Sequence, residues 1–157
     1  MNRLAYDNIQ ELIDQYIKTS FQVNRMGESL VKDQLSKELT NDQHYTLRFI
    51  FQHDRCTSTD LAEAFHVNKS AITAIITRLT DKGLIERTRD ENDRRVVYLS
   101  LTEKGKELYL ETEEKIHQLV KHFITKFDRK EIESFMHTYE KLSHILINMN
   151  NKEGEKE

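Results

Sequence analysis

Apolar side chains recur every three or four residues along most of this chain, which is the spacing of amphipathic α-helices. A helix of this kind buries its apolar stripe and leaves its charged residues on the opposite, solvated side. The longest stripes lie towards the two ends of the chain, and shorter ones lie between them. The predicted helices cover residues 9–35, 40–51, 57–65, 69–82, 102–127 and 132–149.

Capping residues support two neighbouring short helices in the middle of the chain. Thr57 and Asp60 have the spacing of a capping box. Asn68 is a good N-cap for the helix from Lys69 to Lys82, and Gly83 ends that helix. Only three or four residues link the two helices, a length typical of a helix-turn-helix connection.

The pattern changes after Gly83. Residues 84–88 and 96–101 are rich in apolar and β-branched side chains, and the charged residues 89–95 join them. Two such runs around a polar connector predict a β-hairpin with a solvated tip. Because a lone hairpin is marginally stable, it must pack on the helices. The predicted fold class is therefore mainly α with one small β-hairpin.

Composition excludes several classes of protein. The 157 residues include 24 basic and 27 acidic side chains, no proline and one cysteine, Cys56. No apolar run is long enough to span a membrane, and the first residues do not resemble a secretory signal. A single cysteine forms no internal disulfide, which fits a reducing cytoplasm. No catalytic triad, glycine-rich phosphate loop or HExxH motif is present, so we expect neither an enzyme nor a bound cofactor.

Net charge alone argues against nucleic-acid binding, because it is −3 overall and residues 59–101 carry seven basic and seven acidic groups. Phosphate attraction depends on how charges are sorted in space, so this objection is weak. On the helix from Lys69, the apolar residues Ile72, Ile75, Ile76 and Leu79 share one face. The opposite face is small or hydroxylic, as a helix that enters a major groove requires. It carries Ser70, Thr73, Ala74 and Thr77.

The hairpin tip adds arginine to this surface. Arg94 and Arg95 lie where the two predicted strands meet solvent, and Asp93 is close enough in sequence to orient one guanidinium. An arginine at a ribbon tip suits a narrow minor groove, where the negative potential is enhanced. A simple solvated turn would show the same charges. A helix-turn-helix followed directly by a charged hairpin is more specific for DNA binding than either part alone.

Six segments follow one another in order along about residues 39–105. They are the LTNDQ at residues 39–43, the DLAEAFHV at residues 60–67, the KSAIT at residues 69–73, the RLTDKGLIER at residues 78–87, the DRRV at residues 93–96 and the LSLTEKG at residues 99–105. Together they resemble the multiple antibiotic resistance regulator (MarR) family of bacterial winged helix-turn-helix transcription factors.

The resemblance implies roles for individual residues. The helix from Lys69 to Lys82 would enter the major groove, Arg95 would enter the minor groove, and Asp93 would position it. Lys69, Arg78 and Arg94 would contact phosphates. Many relatives carry an arginine at the position of Ala74, so base readout here would rest on hydroxyl and methyl contacts and on DNA shape.

The resemblance also implies the domain organisation. Residues 1–150 would form a single domain, with the winged helix-turn-helix at about 40–101 and dimerisation helices at about 3–37 and 102–149. This agrees with the long end helices, whose apolar stripes would be buried in a two-fold dimer. The polar residues 151–157 are expected to be disordered.

Family members often bind effectors between the dimer helices and the DNA-binding lobe. Aromatic side chains would hold an apolar body there, and a basic side chain would hold an acidic group. The candidates are Tyr16, Phe21, Arg25, Phe49 and His53, all of which would serve equally well in ordinary packing.

Metal and redox sensing have less support. His117 and His122 are five residues apart, about 140° around a helix, which is poor for sharing one ion. Cys56 follows Arg55, which would lower the pKa of its thiol, but a partly buried structural cysteine is favoured.

The sequence therefore predicts a cytoplasmic, homodimeric repressor of a pseudo-palindromic operator, relieved by a small-molecule effector. Two alternatives stay open: a helical protein-interaction module without DNA binding, and a metal-responsive repressor.

Overall fold

A computed structural model describes residues 8–35 and 37–154 of the chain. Six helices and two strands fall in these ranges. In chain order they are α1 (Ile9–Gln34), α2 (Asn41–Gln52), α3 (Ser58–Phe65), α4 (Lys69–Asp81), β1 (Ile85–Arg89), β2 (Val97–Leu101), α5 (Glu103–Ile124) and α6 (Arg129–Gly154). The predicted fold class, mainly α with one small hairpin, is confirmed.

The chain divides into two compact units, one ending at Asn41 and the other beginning at Asp42. The first unit contains α1, which has the predicted stripe but no buried residue along its 26 positions. Its apolar side chains, such as Ile17 and Phe21, are about 60% exposed. Residues 3–7 and 36 of the predicted helix at 3–37 lie outside the described residues.

The second unit has its core between α2, α3, α4 and the hairpin. Leu47 of α2, Leu61 of α3 and both Ile72 and Leu79 of α4 are fully buried there. The capping signals formed as predicted: Thr57 and Asp60 make a reciprocal capping box, and the Asn68 side chain accepts from the Ala71 N–H at 2.9 Å. The short link between α3 and α4 turns at His66, whose φ is 53°.

The hairpin is a two-stranded antiparallel sheet in which Ile85 pairs with Leu101 and Arg89 with Val97. Leu99 is buried, and its N–H donates to the Cys56 carbonyl at 2.8 Å. A third stretch of backbone, between α2 and α3, therefore holds β2 against the helices.

The start of α5 packs closely on the residues that lead into the hairpin and is hydrogen-bonded to them. Thr102 caps α5 through the Gly105 N–H, and its hydroxyl donates to the Gly83 carbonyl at 2.6 Å. Gly105 lies so close to Leu84 that a Cβ built on it would be 1.9 Å from the Leu84 carbonyl oxygen. Only glycine fits this approach.

One boundary differs from the prediction. We expected disorder from residue 151, but α6 continues to Gly154. Lys152 lies in its last turn, where a positive charge complements the carbonyl end of a helix. Residues 155–157 lie outside the described residues. No helix in the described part of the chain is long and apolar enough to cross a membrane.

Candidate nucleic-acid interface

The surface of α4 opposite the core is polar and open. Ile72, Ile76 and Leu79 are buried, whereas Ile75 is only half-buried. The predicted contact residues are all exposed, so one helix presents them together. They are Lys69, Ser70, Thr73, Ala74, Thr77 and Arg78.

The hydroxyl groups on this face differ in whether their proton is free to form a hydrogen bond. The Thr73 hydroxyl donates to the Lys69 carbonyl at 2.8 Å, so its proton is already used and its oxygen can only accept. No hydrogen bond is made by the hydroxyls of Ser70 or Thr77 within the described residues. Among the three hydroxyl groups of this face, those of Ser70 and Thr77 can therefore donate to a base or a phosphate.

The hairpin tip holds one arginine in a fixed position. Arg95 donates from Nε to Asp93 Oδ1 at 3.1 Å and from Nη2 to Asp93 Oδ2 at 3.2 Å. Its backbone N–H also donates to Asp93 Oδ1. The Arg95 side chain is nevertheless 91% exposed. The predicted pairing of Asp93 with Arg95 is present, and three of the five guanidinium N–H groups stay available.

A second carboxylate, which the sequence analysis missed, shapes the same loop. Asp90 accepts from the N–H groups of Asn92 and Asp93, at 2.8 and 3.0 Å. These hydrogen bonds, together with one from the Tyr98 hydroxyl, hold the pKa of Asp90 below its usual range. Asp90 thus fixes the backbone that carries Asp93. The residue type was a signal, because aspartate commonly accepts from N–H groups two or three positions ahead.

Hydrogen bonds from Arg95 to both carboxylate oxygens also lower the pKa of Asp93. Arg94, by contrast, is exposed, and among the described residues only its carbonyl is engaged, by Arg89 Nη1 at 2.8 Å. Within the described part of the chain neither its guanidinium nor that of Arg78 has a partner, so both can bind an external anion.

Cys56 is buried, and burial raises the pKa of its thiol to about 11, with the Asp60 carboxylate adding to the shift. The expected lowering by Arg55 was wrong. Arg55 instead lies 5.9 Å from the centre of the Tyr98 ring, in a cation–π arrangement. A thiol of this kind stays protonated at neutral pH, as a structural cysteine would.

The effector candidates fall in different units. In the first unit, the Arg25 guanidinium lies 6.0 Å from the centre of the Phe21 ring, and Tyr16 is exposed on the same helix. In the second unit, Phe49 and His53 stack with ring centres 4.0 Å apart. These two rings line a cavity of about 450 Å³, a volume within the range of small-molecule sites. Its other walls are Asp54, Cys56, Asp60, Glu63 and Ala64.

A buried charge cluster was also missed. Glu113 of α5 lies between His44, whose Nε2 is 2.9 Å from its Oε2, and Arg48, both on α2. His117 Nε2 is 3.0 Å from the other carboxylate oxygen. His44 Nδ1 is buried without a partner among the described residues. Only the spacing of Glu113 and His117 was visible in the sequence, since the α2 partners are more than 60 residues away.

Across residues 8–35 and 37–154, no three His, Cys, Asp or Glu side chains are arranged to hold a metal ion. His117, one of the two helical histidines considered from the sequence, is paired with Glu113 instead.

A helix-turn-helix followed by a hairpin with an exposed arginine defines a winged helix-turn-helix protein of the DNA-binding type. The MarR family profile matches residues 39–97. The transcriptional regulator AdcR of Streptococcus pyogenes is 33% identical over 99 residues, which are 61% of this chain and 67% of AdcR. The chain belongs to the MarR family, whose members are transcription regulators and not enzymes.

Further similarities extend over nearly the whole chain. An uncharacterised helix-turn-helix regulator of Bacillus subtilis, YwhA, is 26% identical over 142 residues, 90% of this chain and 97% of YwhA. A MepR-like protein crystallised with pseudoligands is 31% identical with a TM-score of 0.67, covering 87% of this chain and 96% of that one. Streptococcus pneumoniae FabT in complex with DNA is 25% identical with a TM-score of 0.73, covering 89% of this chain and 99% of FabT.

Proposed function

We propose that this regulator is a homodimeric repressor that binds a pseudo-palindromic operator through α4 and the hairpin, here called the wing (residues 85–101). One observation carries the proposal: the small, hydroxylic face of α4 and the guanidinium of Arg95 are exposed on the same unit. Base edges in a major groove would meet Ser70, Thr73, Ala74 and Thr77. Phosphates would meet Lys69, Arg78 and Arg94, and Arg95 would enter the minor groove with Asp93 positioning it.

Self-association is supported by apolar surface that one chain leaves open. Besides α1, the helix α6 exposes Phe135, Tyr139, Leu146 and Met149, each at least half accessible to solvent. Patches of this kind mark protein interfaces. A two-fold dimer of residues 1–150 would set its two α4 helices about 34–36 Å apart, one turn of DNA.

Effector relief is supported by the cavity at Phe49 and His53 and by the MepR-like relative, which was crystallised with pseudoligands. The cavity is lined by the carboxylates of Asp54, Asp60 and Glu63 and by the imidazole of His53. Any ligand that favours another spacing of the α4 helices lowers operator affinity, by at most its differential binding energy between the two states.

Selection of fragmented genomic DNA by the purified protein tests this function, with Arg95→Ala as the matched variant. The expected result is an enriched inverted repeat that the variant fails to recover. No enrichment at low salt, together with capture of a protein partner, would favour an interaction module. Enrichment that appears only with added zinc and disappears with a chelator would favour a metal-responsive repressor.

Dimer formation is tested separately by light scattering after size exclusion, which should give twice the 18.7 kDa mass of the chain. A protein meeting chromosomal DNA would act in the cytoplasm.

A further inference from the structure

A small cavity lies between α4, the wing and the first residue of α3. Its volume is about 100 Å³. The apolar side chains of Ile76, Val97 and Leu99 form part of its wall, and the polar side chains of Ser58, Thr73 and Arg87 form the rest. We call this cavity the notch. Three separate elements of the DNA-binding lobe meet there.

Arg87 stands on the inward face of the wing. It pairs directly with Leu99 across the hairpin, and opposed residues of an antiparallel pair share one face. Ile85, two residues earlier on that face, is 2% exposed, and Leu99 is 5% exposed. Arg87 is itself exposed on this face, and it lines the notch.

The guanidinium of Arg87 has no partner within the described part of the chain. Its two neighbours on the wing are engaged: Arg89 donates to the Arg94 carbonyl, and Arg95 donates to Asp93. Among residues 8–35 and 37–154 the hydroxyl of Ser58 has no hydrogen-bond partner either, whereas the Thr73 hydroxyl donates to the Lys69 carbonyl. The notch therefore offers the unpaired donors of Arg87 and Ser58.

The general geometry of DNA docking would bring the sugar-phosphate backbone towards this position. When α4 occupies a major groove and the wing tip an adjacent minor groove, the sugar-phosphate strand between those grooves must cross the valley between α4 and the wing. The notch lies in that valley. Its volume is well below the 300 Å³ of the smallest usual ligand sites and equals about three water molecules.

We infer that the notch seats one phosphate of the DNA backbone, with Arg87 supplying the positive charge and Ser58 a hydroxyl donor. This inference rests on the proposed DNA-binding function and adds two residues to it. Each subunit of a dimer would fix one such phosphate, which would set the angle between α4 and the duplex. Contacts of this type position a protein without reading its sequence.

The test compares Arg87→Gln with wild type on two duplexes, the operator fragment from genomic selection and a random 25-base-pair DNA. Affinity is measured by fluorescence anisotropy from 50 to 300 mM salt. Loss of one phosphate contact per subunit should lower affinity for both duplexes about tenfold or more at 0.15 M salt. It should also reduce the slope of log affinity against log salt by about 2 for a dimer. Arg129→Gln removes an arginine from an exposed pair with Glu133 on α6 and should change neither quantity.

Two further variants separate charge from packing. Arg87→Lys should restore most of the salt slope, and Ser58→Ala should weaken binding to both duplexes by a smaller factor. If Arg87→Gln retains the wild-type affinity and slope while wild type binds the operator, the notch is not a phosphate seat and the proposed function stands. If wild type shows no salt-dependent DNA binding at all, the proposed function itself fails.

Discussion

The Asp93 carboxylate accepts three hydrogen bonds from Arg95, from Nε, Nη2 and the backbone N–H, at 3.1 to 3.2 Å. The Arg95 side chain is nevertheless 91% exposed. An exposed ion pair is normally worth little for stability, so its value here lies in orientation. A side chain already held in one geometry loses less entropy when it enters a groove.

Arg95→Ala should therefore weaken operator binding by more than about 1 kcal/mol, the usual size of one specific contact. Arg95→Lys should recover little of this, because an ammonium cannot bind both carboxylate oxygens of Asp93 in the fork geometry. Anisotropy titrations at fixed salt measure the loss, with Arg129→Gln as the arginine control. Identical curves for wild type and Arg95→Ala would remove this residue from the interface.

Asp90→Ala should weaken DNA binding although Asp90 need not touch DNA. Its carboxylate holds the N–H groups of Asn92 and Asp93, so its loss frees the backbone that presents Arg95. We expect faster amide exchange at those two residues and little change in the melting temperature. Glu91→Gln removes a charge from the same loop without these hydrogen bonds and is the control. Unchanged exchange in Asp90→Ala would contradict this role.

Acid should have the same effect as the Asp90 substitution. The hydrogen bonds that Asp90 accepts in the folded loop lower its pKa. The ordering of the loop by these hydrogen bonds is therefore complete above the ordinary carboxyl pKa of about 4. That order is lost as the pH falls through the lowered folded value. Amide exchange at Asn92, corrected for intrinsic rates, should stay slow down to that point. Loss of protection near neutral pH would argue against the carboxylate as its source.

Short-range features of this chain were readable from its sequence. The 3.6-residue period places Ile72, Ile76 and Leu79 on the buried face of α4. Asp93 and Arg95 are only two residues apart, so their side-chain pair could be predicted as well. The missed residues depend on pairing that a sequence does not display. Tyr98 reaches Asp90 because of the register of the hairpin, and Glu113 meets His44 across 69 positions of chain.

Gly105→Ala should destabilise the second unit. A methyl group at this position would be 1.9 Å from the Leu84 carbonyl oxygen, so backbone must shift at the junction of wing and α5. A loss of about 3 kcal/mol in the free energy of unfolding is expected for an overpacked site. Gly27→Ala in α1 is the matched control, because nothing lies within 4 Å of its added methyl and alanine favours helix. Urea unfolding of both variants should show opposite signs.

Cys56 should resist thiol reagents until the protein unfolds. Burial raises its pKa to about 11, so the reactive thiolate is scarce at pH 8 in the folded protein. A raised folded pKa gives stability that is fully present below the unfolded value near 9 and is lost as the pH rises towards 11. Ellman's reagent at pH 8, with and without denaturant, measures this protection. Fast labelling of the native protein would show an accessible thiol.

Glu113 should contribute more to stability than an exposed carboxylate of the same helix. Its carboxylate is nine-tenths buried and contacts His44 and Arg48 of α2 and His117 of α5. These contacts join α2 to α5. Removing one member of a buried charge cluster leaves the others unpaired, so Glu113→Ala should lower the free energy of unfolding by about 3 kcal/mol. Glu111→Ala, which breaks an exposed pair with Lys115 on the same helix, should cost no more than about 0.5 kcal/mol. Equal effects of the two substitutions in urea unfolding would mean that the buried cluster contributes no more than a surface pair.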